Sequence, residues 1–211
     1  MTNLFIVLFS FTLLLASLTG RLGKYVSILA FQGLLLFLIV LSNFDPQNLF
    51  TFLFLSVETL LVKTLLVPYV LNYVIRKNDS VREMSANIPA FSSLIITSFF
   101  LVLGFVMSYM AKKISPNIST LYFGVAVSTI ATSLFLILTR KKIITHVMGY
   151  LMLENGIFLA SLSITSEMPF LVDIGILLDL FLAILLLSVF AHQISRNFEE
   201  FDIDELSNLK D

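Results

Sequence analysis

No cysteine and no tryptophan occur in the 211 residues. Without a thiol the chain can form no disulfide, no thiolate-bound iron–sulfur cluster and no cysteine-based zinc site. Histidine is nearly as scarce: the two present, His146 and His192, fall in separate apolar stretches. A self-contained metal centre is not expected, no cofactor is assigned to this chain, and any redox chemistry belongs on other polypeptides. Charge is also sparse, at 13% of residues with a formal net charge of −1. That balance excludes a general electrostatic attraction to nucleic acid. What fills the chain instead is apolar: 58% of residues are hydrophobic, 21 of them Phe, and the mean hydropathy is +0.98. A soluble domain of this length needs far more polar surface, so composition alone places the chain in the membrane class.

A hydrocarbon core of about 30 Å takes roughly 20 apolar residues per helix. Seven stretches meet that requirement: Asn3 to Thr19, Tyr25 to Leu41, Leu49 to Ile75, Ala90 to Met110, Ile118 to Thr139, Ile144 to Ser163 and Phe170 to His192. The breaks between them carry charge, Pro or Gly, which punctuate hydrophobic runs. The first stretch has no basic residue before it and is followed by Arg21 and Lys24, so it reads as a retained span rather than a cleaved signal. The predicted fold is all-α, a polytopic membrane bundle of about seven transmembrane helices.

With seven spans, one side collects Arg21, Lys24, Arg76, Lys77, Arg82, Arg140, Lys141, Lys142, Arg196 and Lys210, and the other keeps Lys112 and Lys113. The positive-inside rule then predicts an external N-terminus and a cytoplasmic C-terminus in a prokaryotic inner membrane. Residues 1–77 and 118–194 share one layout: a span, a tight basic turn, a second span, a short turn with an acidic residue and Pro, and a third span. The reading is two three-helix repeats, joined by a polar loop and an extra helix over 78–117 that restores their common orientation. An acidic tail, 195–211, interleaves Phe198, Phe201, Ile203, Leu206 and Leu209 with its carboxylates, a pattern suited to docking on a soluble partner.

The functional signal lies in charges placed where the bilayer penalises them. Lys63 is mid-span, whereas the other Lys and Arg residues sit in loops, at span ends or in the tail. Glu58, Glu154, Asp173 and Asp179 also fall within spans. A charge at bilayer centre costs roughly 2.5–3.5 kcal/mol on insertion scales, so such groups must face one another, water or a partner. On an ideal α-helix five positions correspond to about 140°, so Glu58 and Lys63 are expected to look toward different neighbours. Pro68 withholds a donor from the Thr64 carbonyl, a place for a kink or a water beside Lys63. Carboxylates and an ammonium at one depth suit proton relay, because burial and opposite charge act against each other on such groups. Asp173 is near enough to a span end for an interfacial role. His146, about 12 Å from Glu154 along its helix, reads first as a solvated helix-end residue and second as an outlying relay member. Gln32, Asn72 and the Phe-rich faces read as packing.

The string Arg140-Lys141-Lys142, followed by Met148-Gly149-Tyr150-Leu151-Met152-Leu153-Glu154-Asn155-Gly156-Ile157-Phe158, resembles the hydrogenase-4 component E family. So do Val172-Asp173-Ile174-Gly175-Ile176-Leu177-Leu178-Asp179-Leu180 and the span bearing Glu58, Lys63 and Pro68. That family is similar to the K subunit of respiratory complex I and the C subunit of multisubunit sodium/proton antiporters. In the K subunit a basic turn precedes a span with a mid-membrane glutamate, and a second glutamate follows in the next span. Glu154 matches the first; Asp179 lies near the second as a shorter carboxylate. The first repeat departs from the pattern, with Gln32 and Lys63 in the corresponding places.

The resemblance implies a non-catalytic membrane subunit of a group 4 nickel–iron hydrogenase or a related complex I-like assembly. It would lie beside antiporter-like subunits and pass protons laterally, with nickel and iron–sulfur clusters held by partner subunits. On that reading the relay set is Glu58, Lys63, Glu154 and Asp179, with Asp173 and His146 outlying. The alternatives are an independent secondary cation or proton transporter and a purely structural scaffold of a membrane arm.

Overall fold

The computed structural model describes residues 2–43, 49–77 and 88–164. They form α1 (Thr2–Leu18), α2 (Leu22–Ser42), α3 (Leu49–Val57), a π-helical segment (Glu58–Leu66), α4 (Val67–Lys77), α5 (Ala90–Ile114), α6 (Thr120–Thr139) and α7 (Ile143–Ser163). Because α3, the π segment and α4 run on without interruption, the described residues make six helical rods and no strand. An isolated antiparallel bridge joins Ile118 to Ile164. The expected count of seven is not reproduced among the described residues, since Phe170 to His192 lies outside them, as does the acidic tail. The six earlier spans match their expected positions to within a few residues.

Alternation of short connections makes neighbouring helices antiparallel, and contacts at both ends bear this out. At one end Arg140 Nη2 donates to the Thr19 carbonyl (3.3 Å), bringing the C-terminus of α6 to that of α1. At the other, Asn43 Nδ2 donates to the Tyr122 hydroxyl (3.0 Å), and the Ser119 N–H to the Ser163 carbonyl (3.0 Å). The first of these ends also carries Arg21, Lys141 and Lys142 and is called the basic end below.

The interior has an apolar core that includes Phe9, Leu13, Leu36 and Met148, but polar side chains share it and large apolar ones cover the outside. Thr12, Ser17, Gln32, Thr97, Ser128, Thr129, Thr132 and Ser133 are buried, while Leu138 is 81% exposed and Phe91 70%. Interior hydroxyls bond their own helices: Ser128 Oγ to the Gly124 carbonyl at 2.7 Å, Thr129 Oγ1 to Val125 at 2.6 Å, and Ser133 Oγ to Thr129 at 2.6 Å. Large apolar side chains facing outward and small polar ones facing inward are what a lipid solvent selects. Among the described residues four helices, Leu22–Ser42, Leu55–Arg76, Ala90–Ile114 and Thr120–Thr139, are long and apolar enough to cross a membrane, and Thr2–Leu18 is a shorter apolar one. The chain is a helical membrane protein.

Helix association in lipid depends on small residues that let backbones approach. α5 offers Gly104 and Ser108, four apart, and α6 offers Gly124 and Ser128 with the same spacing. They meet: Ser108 Oγ donates to the Thr120 carbonyl (2.5 Å), Ser128 Oγ also reaches the Phe100 carbonyl (3.1 Å), and a Cβ on Gly104 would collide with Ser128 Oγ and the Gly124 carbonyl. Gly149 and Gly156 of α7 do the same against Ile137 and Ile130 of α6. Gly104→Leu is therefore expected to force α5 off α6 at a cost of about 1–3 kcal/mol, the usual price of overpacking, and thermal unfolding in detergent followed by circular dichroism measures it.

Candidate functional site

α2 is the hub of the interior, packed on α1, on the π segment and on α7. Two adjacent α2 residues do different work. Gly33 has no side chain, so the π segment closes on it; a Cβ there would stand 2.9 Å from the Lys63 carbonyl carbon and 3.0 Å from its oxygen. Gln32, fully buried, faces α1 and α7: its Nε2 donates to Thr12 Oγ1 (2.8 Å), and its Oε1 accepts from Asn155 Nδ2 (3.2 Å). The Thr12 hydroxyl in turn donates to the Phe9 carbonyl (2.6 Å). Gln32, read from the sequence as packing, is thus the middle link of a buried polar chain across three helices. Gln32→Leu leaves Thr12 and Asn155 without that link, and an expected loss of about 1–2 kcal/mol is readable in the same melting experiment.

Beside this chain lies the charge cluster. Lys63 Nζ pairs with Glu154 Oε1 of α7 and stands 3.6 Å from Glu58 Oε1. It also lies over the Phe158 ring, 4.6 Å from the centroid, so an aromatic face one helical turn beyond Glu154 adds a cation–π contact. All three charged side chains are sheltered: 6% of Lys63, 5% of Glu154 and 12% of Glu58 remain accessible.

The pairing of Glu58 with Lys63 corrects the expectation that they look apart. That expectation assumed α-helical turns, but residues 58–66 form π turns, whose hydrogen bonds span five residues and stack i over i+5. The wider register shows in two bonds: the Val67 N–H reaches the Val62 carbonyl, and Thr64 Oγ1 reaches the Thr59 carbonyl (2.8 Å). The segment ends just before Pro68, which supplies no N–H in either register. The irregularity expected beside Lys63 takes the form of this π segment, which contains Lys63. π turns inside α-helices recur at functional sites.

Other candidates fall elsewhere. His146 donates through Nδ1 to the Lys142 carbonyl (2.9 Å) in the first turn of α7, away from the cluster. Asp173 and Asp179 lie outside the described residues. Asn72, read as packing, is exposed. Among the described residues no group of three His, Asp or Glu side chains is arranged to hold a metal ion. Arg140, counted from the sequence as a loop charge, is in fact buried at the C-terminus of α6, where it serves the carbonyl end of α1. Burial pulls the guanidinium below its ordinary pKa and the nearby Tyr25 phenol acts the other way; it stays a cation throughout.

Fold and site together define a helical membrane protein with a buried ammonium shared between two carboxylates. Among known proteins, the chain is 26% identical over 187 residues to an uncharacterised protein of Mycobacterium tuberculosis, covering 88% of this chain and 85% of that one. It is also 26% identical over 156 residues to hydrogenase-4 component E of Escherichia coli K12, covering 74% of this chain and 72% of that protein, and equally to its counterpart in Shigella flexneri. No family model matches the chain, and no solved structure matches it. The likeness to a hydrogenase component over most of the chain is distant.

Proposed function

We propose that this chain is a proton-relaying membrane subunit of a multisubunit hydrogenase, or of a related complex I-like assembly, in which Lys63 is the switchable cation between Glu58 and Glu154. The observation that carries the reading is the cluster itself: a buried ammonium with a buried carboxylate on another helix and a second, partly sheltered carboxylate on its own. Two carboxylates and one ammonium sum to −1, and a low-dielectric interior favours neutrality. One added proton neutralises the cluster, and it has two places to reside. With the proton on Glu58, Lys63 pairs with Glu154; with the proton on Glu154, Lys63 pairs with Glu58. The exchange couples a swing of the lysine side chain to two proton steps: the carboxyl it leaves takes up a proton, and the carboxyl it joins releases one.

The distant likeness to hydrogenase-4 component E supports the assignment to a hydrogenase-like assembly. Antiporter-like membrane subunits and a nickel-bearing subunit are the partners proposed, with all metal chemistry on them. Asp179 and Asp173 would extend the relay beyond the described residues, in a seventh span over Phe170 to His192 that completes the second of two three-helix repeats. The basic end would face the cytoplasm, placing the N-terminus outside.

The assignment is tested by purifying the tagged chain in mild detergent, identifying what comes with it by mass spectrometry and assaying hydrogen oxidation. Recovery with a nickel-bearing large subunit and antiporter-like proteins is the expected result. Recovery of antiporter-like proteins without hydrogenase activity would keep the relay and remove the hydrogenase. A stable homo-oligomer alone would overturn the subunit reading in favour of an independent transporter.

A further inference from the structure

We propose that the hydroxyl-lined interior between α1, α5 and α6 is a hydrated branch that leads water and protons from a pocket at the basic end to the Lys63 cluster, an inference that rests on the relay reading. Two observations carry it. The first is a pair of unusual threonines. Membrane-helix hydroxyls normally bond a carbonyl one turn back, and Thr12, Ser17, Thr129 and Ser133 do so here. Thr97 Oγ1 and Thr132 Oγ1 are completely buried and have no hydrogen-bond partner in the protein. The contacts Ser108–Thr120 and Ser128–Phe100 set an antiparallel register that carries Thr97 of α5 to the level of Thr132 of α6. Buried hydroxyls held at one level without protein partners are what an internal water requires.

The second observation is the pocket. A cavity of about 260 Å³ opens at the basic end, lined by Ser17, Thr19, Ser93, Thr139 and Arg140 among others. Depth along the helices then orders the polar groups into a series. At 1.5 Å per residue, Ser17 and Ser93 lie within about one turn of the basic end, and Thr12, Thr97 and Thr132 about 9–11 Å in. On the same scale Gln32 lies about 15 Å in, Glu154 and Asn155 about 17–18 Å, and Lys63 about 21 Å. Along the helix axes, polar groups therefore recur from the pocket to the charged cluster at steps of about one turn, while the lipid-facing sides of α5 and α6 carry Phe91, Phe99, Leu134 and Leu138.

The absence of native cysteine makes the test clean within this chain. Thr97→Cys and Thr132→Cys are introduced singly into the full chain in native membrane vesicles and exposed to silver ions. The vesicles are then unfolded, and the thiol still open to alkylation is measured on this chain by mass spectrometry. Thr19→Cys, in the pocket wall and partly exposed, is the wet reference, and Ala126→Cys, buried among apolar side chains, the dry one. A thiolate forms only where water reaches it, so both threonine positions should be protected at least about tenfold faster than Ala126→Cys. Protection as slow as at Ala126→Cys in both would overturn the branch, however Glu154→Gln behaves. As a second measurement, Thr97→Val and Thr132→Val should slow proton movement by the assembled complex several-fold with assembly intact, and Thr132→Ser should restore it. Equal rates in the valine variants would also overturn the branch. Fast protection together with wild-type proton movement in Glu154→Gln would uphold the water path and remove the relay it was proposed to feed.

Discussion

Substituting Glu154 by glutamine is expected to stop proton movement by the assembled complex while leaving the complex intact. Gln keeps the shape of the side chain and can still accept a hydrogen bond from Lys63, so α7 stays docked against α2 and the π segment. What it cannot do is take up a proton. With Glu154 neutral for good, Lys63 and Glu58 already balance each other, and the cluster has no second place for the proton. Transport should fall by about a hundredfold or more, the range that positioned acid–base groups supply. Glu154→Asp, which keeps the chemistry on a shorter arm, should retain part of the rate. Proton uptake into oriented vesicles, with subunit composition checked on the same preparation, separates the outcomes. A scaffold would show the reverse pattern, in which the variant either dissociates or, once assembled, transports normally.

The second large effect is expected from Lys63→Met. Methionine fills the same volume and suits the Phe158 face, but it leaves Glu58 and Glu154 buried without their cation. Removing one partner of a buried ion pair costs about 3–5 kcal/mol because the orphaned charge remains. The measurable form is a large loss of thermal stability in detergent. Adding Glu154→Gln to Lys63→Met removes one of the orphaned carboxylates and should recover a substantial part of that loss. This non-additivity is the signature of groups acting as one cluster. If the double variant is less stable than Lys63→Met, the Lys63–Glu154 pair is not the contact that holds the two helices.

Much of this was legible in the chain itself, because the bilayer imposes rules that sequence obeys directly. Span length, breaks at Gly20-Arg21, Lys112 to Pro116 and Arg140 to Lys142, and the isolation of Lys63 placed six rods correctly and pointed to Lys63, Glu58 and Glu154. What failed was angular. The sequence of 58–66 carries no plain mark of a π turn, so an α-helical wheel separated Glu58 from Lys63 when the real backbone stacks them. Gln32 looked like packing because a lone amide shows its role only beside its partners, and Thr12 and Asn155 are remote in the chain. The hydroxyls of α5 and α6 were likewise unremarked, since Ser and Thr are ordinary in membrane helices until one on each proves unpartnered. Arg140 read as one charge of a basic turn because nothing local reveals that the end of α1 lies across from it. Each omission concerns a tertiary contact or a helix register rather than a span, which is where hydropathy has nothing to say.

The central claim, that Glu154 changes its protonation as the complex works, is tested most directly by infrared difference spectroscopy of the complex between resting and turnover states. The account predicts a protonated-carboxyl stretching band that appears or disappears on turnover, shifts in heavy water and is missing in Glu154→Gln. A difference spectrum whose carboxyl bands are the same in wild type and Glu154→Gln would mean that Glu154 keeps one protonation state throughout, and the cluster would then be a lock between helices and not a relay.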